Sequence, residues 1–347
     1  MQNRCREKKI SSTISTKLSV STLYKLVLSI STILPLLPAL FSCTVEEHSA
    51  ETRIALAQAE VTGSLDVFTF NDDRMESLDS YQHWEDFIGK EIRIRTQNGK
   101  KHVFICANGQ REKQEWASVN SLSSLESIQA DLRKERRESP CMTGTLEIKT
   151  GSDKGYEVAL RRIASEVRVN SLRCDFRDKT YEGAQLVDVK IYLTNVNTRC
   201  GITSDGEILP TEIINAGRAD IEDINMFDHP DIVFQKVEGI IGNQARNLGI
   251  SLLCYPNASS RESPGTPFTR LVIEGVLEGE RYWWPIDINR DGSNEEPGIY
   301  RNRQYIFDIC LTRKGSSDPE MVLETDAAEI DLNIISWTEK ENYQVLY

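Results

Sequence analysis

Apolar and polar side chains alternate at period two through most of the chain beyond its first sixty residues, which predicts strands rather than helices. Ser64–Phe70 reads as a strand whose apolar side chains largely face one way. Glu91–Thr96 alternates through Ile92 and Ile94, Asn98-Gly99 supplies a turn, and Val103–Ile105 returns. Asn-Gly between two such runs is a strong hairpin signal, because both residues tolerate positive φ. Further strands are predicted over Glu166–Leu172, Leu186–Thr194, Arg270–Val276 and Tyr282–Ile288, and again through Tyr305, Phe307, Ile309 and Leu311 and through Ile330, Leu332 and Ile334. Asp220–Gly242 is ambiguous and fits a short helix inserted between strands. One helix is predicted in the first half, from Ser123 to Glu138: Ser123 and Glu126 form a capping box, and Leu125, Ile128 and Leu132 share a face. The run Arg133-Lys134-Glu135-Arg136-Arg137 then reads as a solvated face and helix end. Gly, Ser, Pro and Thr crowd Ser139–Gly155, which places a domain boundary near Tyr156. Many short strands between turn signals define an all-β chain of β-sandwiches with Greek-key connections and one short helix in the first.

The front of the chain follows a different pattern. A basic leader precedes the apolar run Leu26–Phe41, which ends in Leu40-Phe41-Ser42-Cys43 and is followed by Glu46-Glu47. This resembles a bacterial lipoprotein signal, in which the cysteine thiol receives a diacylglycerol and Cys43 becomes the lipidated mature N-terminus, its anchor built of palmitate-class acyl chains. The acidic pair resembles the signal that sends lipoproteins of Bacteroides-like bacteria to the outer cell surface. Pro35 and Pro38 argue against an ordinary membrane-spanning helix. Residues 1–42 carry six basic side chains against Glu7, a net of +5, so the chain's −12 becomes −17 beyond them. A surface that acidic repels phosphate backbones, which argues against a nucleic-acid partner. The 305 residues from Cys43 onward exceed one compact core. They divide into a lipidated segment (43–59), an N-terminal sandwich (60–155) and a C-terminal sandwich (156–347).

Chemistry is sparse. His48, His83, His102 and His229 are scattered, and no HExxH, GxSxG or P-loop occurs, so the sequence points away from an enzyme and implies no cofactor. Beyond Cys43 six cysteines remain without a CxxC pair, and they read as buried thiols, with Cys174–Cys200 the pair to examine for a disulfide. Asp287-Ile288-Asn289-Arg290-Asp291-Gly292 matches the start of a calcium loop, D-x-N-x-D-G, but Gly298 stands where the bidentate Glu belongs. Asp287, Asn289 and Asp291 are therefore weak calcium candidates beside a plain polar turn.

The later fragments carry a family resemblance. Leu186–Val196, Ser251–Asn257, Thr269–Gly275, Gly279–Ile286, Ile299–Tyr305 and the strand around Trp337 occur in this order behind the lipobox. Upstream stand Leu65–Phe70 and Phe104–Asn108. Together they resemble the fimbrillins of Bacteroides-type bacteria, the lipoprotein-derived pilins of the type V pilus. The resemblance implies two tandem transthyretin-like sandwiches and a structural or adhesive subunit of a surface fimbrium, bound to the outer membrane through its lipid. It implies partnership with other fimbrial subunits by strand donation, and a host or bacterial surface ligand. In that scheme the first strand is lost after cleavage at a basic residue, for which Arg53 is the candidate. The donor would be Ile330–Tyr347, through Leu332, Ile334, Trp337, Tyr343, Val345 and Tyr347; a strand paired only within its own domain would show the same alternation. No long apolar run lies between Cys43 and Arg53, which favours an accessory, tip or anchor subunit over the shaft. The alternative function is a surface lipoprotein that binds glycans through Trp84 or Trp283.

Overall fold

The computed structural model describes residues 49–57, 61–151, 155–290, 296–319, 321 and 328–337. It is nearly all β, built as tandem transthyretin-like Greek-key sandwiches.

The N-terminal half opens with β1 (Ser49–Ala57), β2 (Val61–Asn71), β3 (Leu78–Gly89), β4 (Glu91–Gln97) and β5 (Lys100–Ala107). After a helical turn, α1 (Leu122–Glu126), come β6 (Gln129–Asp131), β7 (Met142–Lys149), β8 (Tyr156–Ala159) and β9 (Arg161–Arg162). One sheet has the order β4-β1-β8 and the other the order β3-β2-β5-β7-β9. Ile54, Leu56, Ile92, Ile94 and Val158 of the first meet Leu65, Val67, Val103, Ile105 and Ile148 of the second in a closed apolar layer. Alternation puts these residues inward because successive side chains on a strand leave opposite faces.

Two local expectations fail here. Asn98-Gly99 does not close a hairpin: β4 pairs with β1, whereas β5 pairs with β2 and β7. The turn instead carries the chain between sheets, so Ile92 and Ile94 face Val103 and Ile105 across the core. Gly99 adopts φ 138°, and its N–H donates to Thr150 Oγ1 at 2.7 Å. The predicted helix over 123–138 is likewise broken. Only α1 is helical, capped by Ser121 rather than Ser123, and Leu132–Lys134 forms a 3-10 turn after β6. Leu125, Ile128 and Leu132 are all buried, as a helical stripe would be, but each by a different element. The charged run is solvated at Lys134 and Arg136 but not throughout. Glu135 is buried, Arg133 grips Asp131 through Nε at 2.8 Å and Nη2 at 2.9 Å, and Arg137 binds the Ser251 carbonyl.

The C-terminal half contains β10 (Ser165–Cys174), β11 (Val187–Thr194), β12 (Val196–Asn197), β13 (Arg199–Gly201) and β14 (Ile213–Ile214). A short helix α2 (Ile221–Ile224) precedes β15 (Phe234–Val237), β16 (Arg246–Cys254), β17 (Arg270–Leu277), β18 (Glu280–Asp287), β19 (Arg303–Leu311) and β20 (Ala328–Ser336). The sheets β16-β10-β19-β20 and β15-β11-β17-β18 enclose Val167, Ile191, Leu252, Ile273, Trp284 and Phe307. Non-sequential order in both sheets, with β10 parallel to β19, is the mark of Greek-key connection. Cys106, Cys141, Cys174, Cys200, Cys254 and Cys310 are buried free thiols. Burial pushes the Cys174 thiol up to about 12 and the Cys200 thiol up to about 11, which keeps both protonated and unreactive.

Candidate assembly site

Three inward side chains hold β1 in place. Thr52, Ile54 and Leu56 are buried at alternate positions, and the two apolar ones contribute about 1.5–3 kcal/mol each by burial. The strand runs antiparallel to β4 over Ser49–Ala55, with Ile54 opposite Ile92, and parallel to β8 over Ile54–Ala57, with Leu56 opposite Val158. It is the middle strand of its sheet, and among the described residues it has neighbours on both edges from Ile54 onward. Among the described residues, Ser49–Arg53 pairs along one edge alone.

Arg53 sits at that transition. Its side chain is 68% exposed on the outer face and forms an ion pair with Glu91. The register sets Arg53 opposite Arg93, a like-charge pair that costs stability unless offset. Glu91 offsets one charge and Glu51, 3.5 Å from Arg93 Nη1, offsets the other. Arg53 thus carries an exposed side chain on an extended backbone that, among the described residues, pairs along one edge on its N-terminal side.

The other candidate element is β20. It pairs antiparallel with β19, Leu332 opposite Phe307 and Ile334 opposite Tyr305, and forms the edge of its sheet. Leu332 and Ile334 are half-buried against the core, whereas Ile330 is exposed. Trp337 is fixed just beyond the strand: the Arg162 guanidinium lies 4.4 Å from its ring centroid and donates to its carbonyl at 3.2 Å. The described part of the donor candidate therefore pairs within its own sandwich. Tyr343, Val345 and Tyr347 lie outside the described residues, as does Cys43.

The remaining candidates do not converge. Asp287 accepts from Arg270 Nε at 2.7 Å, and Asn289 Nδ2 donates to the Glu296 and Gly298 carbonyls. Asp291 lies outside the described residues, so those two side chains form no oxygen cage by themselves. Trp84 is half-buried, edge-on to Phe87 at 6.2 Å, and Trp283 is half-buried with its backbone paired to Ser316. Neither offers a fully open ring face to a sugar.

Sequence reasoning missed a buried acid where the two halves meet. Glu135 accepts from the Cys141 N–H at 2.7 Å, Tyr255 Oη at 3.0 Å and Gln110 Nε2 at 3.0 Å. Burial raises its carboxyl to about 7 against these three donors. The only signal for it was a lone acid within a basic run, which composition reads as surface.

No protein-family model and no curated protein sequence matches the chain. Solved structures do. A protein assigned to cell adhesion from Bacteroides eggerthii is 15% identical with a TM-score of 0.62, over 83% of this chain and 96% of that one. Another from Parabacteroides distasonis is 13% identical with a TM-score of 0.61, over 84% and 100%. A fimbrilin from Porphyromonas gingivalis is 14% identical with a TM-score of 0.60, over 84% and 97%. At such identities the likeness is one of fold. The chain has the fimbrillin fold, shared along nearly the full length of these adhesion and fimbrial proteins.

Proposed function

We propose that this protein is a structural or adhesive subunit of a cell-surface fimbrium, exported as a lipoprotein on Cys43 and joined to neighbouring subunits by strand donation. The observation that carries the reading is β1: a short strand in mid-sheet, with an exposed arginine where, among the described residues, its second edge begins to pair. Cleavage after Arg53 frees Ser49–Arg53 and leaves Ile54–Ala57 held by two buried side chains and its pairing with β8 and the start of β4. Loss of the whole strand opens a slot between β4 and β8 with unpaired backbone on both sides. An extended segment from another subunit, apolar at alternate positions, fits that slot by β-augmentation. The C-terminal segment from Ile330 supplies such a pattern, and its edge position on β19 lets it leave without breaking a sheet in two. The short polar stretch ahead of Arg53 suits an accessory, tip or anchor position. The strands β8 and β9 count with the first sandwich because they pair with β1 and β7.

The test uses the intact protein. Arginine-specific proteolysis should yield a form beginning at Ile54, and a peptide of residues 328–347 should bind that form at least tenfold more tightly than the uncleaved one. Equal binding to both, or cleavage confined to other arginines, rules out strand donation through this slot. Metabolic labelling with palmitate should mark the wild type and not Cys43→Ala; label retained in the variant removes the lipid anchor.

A further inference from the structure

The inner end of the N-terminal core holds three side chains that a purely apolar layer has no use for. Lys101 begins the inward face of β5, ahead of Val103 and Ile105, and Asn71 ends the matching face of β2. The antiparallel register sets Asn71 directly opposite Lys101. Lys101 Nζ lies 2.5 Å from Asn71 Oδ1, one covalent bond from the carboxamide carbon. Asp79, from β3, brings Oδ1 to 3.2 Å from the same Nζ. That contact has ion-pair distance, and Asp79 Oδ1 has no hydrogen-bond partner among the described residues. Lys101 and Asp79 have side chains only 2% and 1% exposed. Asp79 Oδ2 is held in turn by the Thr96 hydroxyl and by the Gln97 N–H at 3.0 Å. The Asn71 amide nitrogen is turned away, donating to Ser77 Oγ at 3.1 Å.

A buried amine, a carboxamide carbon within reach and a fixed carboxylate touching the amine are the parts of an acyl-transfer site. We propose that Lys101 and Asn71 form an intramolecular amide bond, with Asp79 as the proton carrier. The Lys101 ammonium passes one proton to Asp79, and neutral Nζ adds to Asn71 Cγ. The tetrahedral Cγ then turns Nδ2 from Ser77 toward Asp79, which passes it that proton; the Cγ–Nδ2 bond breaks, and the departing ammonia takes the second Nζ proton through the same carboxylate. One ammonium ion is released and one secondary amide is made; nothing is oxidised or reduced. The bond would clamp β2 to β5 in the sheet packed against the one that β1 occupies, so that sheet could bear tension without unzipping. It is independent of strand donation and stands or falls separately.

Intact-mass spectrometry of the purified full chain tests it. The wild type should weigh one ammonia less than its sequence, and proteolysis should yield a branched peptide joining the Asn71 and Lys101 segments. Asp79→Asn and Lys101→Arg should keep full sequence mass. Asn71→Asp gives a second check: its bond forms with loss of water, so both cross-linked proteins arrive at the same mass, whereas unlinked ones differ by the NH2-for-OH exchange. Full sequence mass in the wild type, loss of water instead of ammonia, or ammonia loss without the branched peptide would each overturn the proposal.

Discussion

Arg301, in the turn before β19, donates from Nη2 to Thr143 Oγ1 on β7 at 2.8 Å and so ties the second sandwich to the first. The same guanidinium serves the carbonyls of Ser204 at 2.8 Å, Arg161 at 3.0 Å and Arg162 at 3.3 Å. Burial pushes its pKa below the usual guanidinium range. One planar fork satisfies acceptors from three segments, which a lysine's single ammonium cannot reproduce. Arg301→Met should cost about 3 kcal/mol, since it leaves several enclosed acceptors without a donor. Arg301→Lys should recover less than half of that loss. Urea denaturation followed by tryptophan fluorescence measures both, and the loss should appear as a lower midpoint.

Glu135 makes the fold sensitive to pH in an unusual direction. Its carboxyl keeps a proton up to about 7 in the folded chain, against an ordinary value of 4.5. Between those values the folded state binds a proton that the unfolded state has released, so its stability contribution falls as pH rises through the window and is level above it. The span corresponds to about 3 kcal/mol as an order of magnitude. Glu135→Gln cannot titrate, and its denaturation free energy should lose that slope between about pH 4.5 and 7. Paired denaturation curves of wild type and variant at pH 5 and 7.5 check this; equal pH differences in the two proteins would show that Glu135 is not the source.

The strands were legible in the sequence because one side of each faces a core and the other faces water. Arg270–Val276 and Tyr305–Leu311 show this: alternation predicts both, and the structure adds one residue to the end of the first and two to the start of the second. The failures have a common cause. Leu125, Ile128 and Leu132 satisfy helical spacing by accident, because Phe68, Phe104 and Trp116 form an aromatic face that needs covering by whatever follows. Asn98-Gly99 has hairpin chemistry, but local turn preference does not decide which sheet the next strand joins. β1 was hidden because only Thr52, Ile54 and Leu56 face inward, and small or charged residues lie between them. A strand held by few side chains leaves a faint pattern, and the same weakness suits a strand meant to be replaced.

Close packing between β7 and β8 gives a sharp test of how the first sandwich is closed. A Cβ on Gly144 would lie 2.7 Å from the Ala159 carbonyl oxygen, 2.9 Å from Val158 Cγ2 and 3.1 Å from Leu160 Cδ2. The carbonyl belongs to backbone and cannot turn aside. Gly144→Ala should therefore destabilise by about 1–3 kcal/mol through overpacking. Gly155→Ala, with nothing within 4 Å of the added methyl, should stay within about 0.5 kcal/mol of wild type. Thermal melts of the two variants separate a specific packing constraint from a general intolerance of alanine in this region.

Ile54 decides whether β1 is a structural strand or an occupant of a slot. It is fully buried, pairs with Ile92 on one neighbour and Tyr156 on the other, and among the described residues is the first with partners on both edges. Ile54→Asp places an unpaired carboxylate in the apolar layer and should cost at least about 3 kcal/mol of local stability. If β1 is an exchangeable occupant, the damage stays local: amide protons of Ile92–Thr96 and Tyr156–Ala159 exchange faster, while those of β10 and β19 keep their protection. Binding of the 328–347 peptide should then rise without any cleavage at Arg53, because the slot is already loosened. Uniform loss of protection across both sandwiches, with no gain in peptide binding, would make β1 an integral part of the core rather than a replaceable strand.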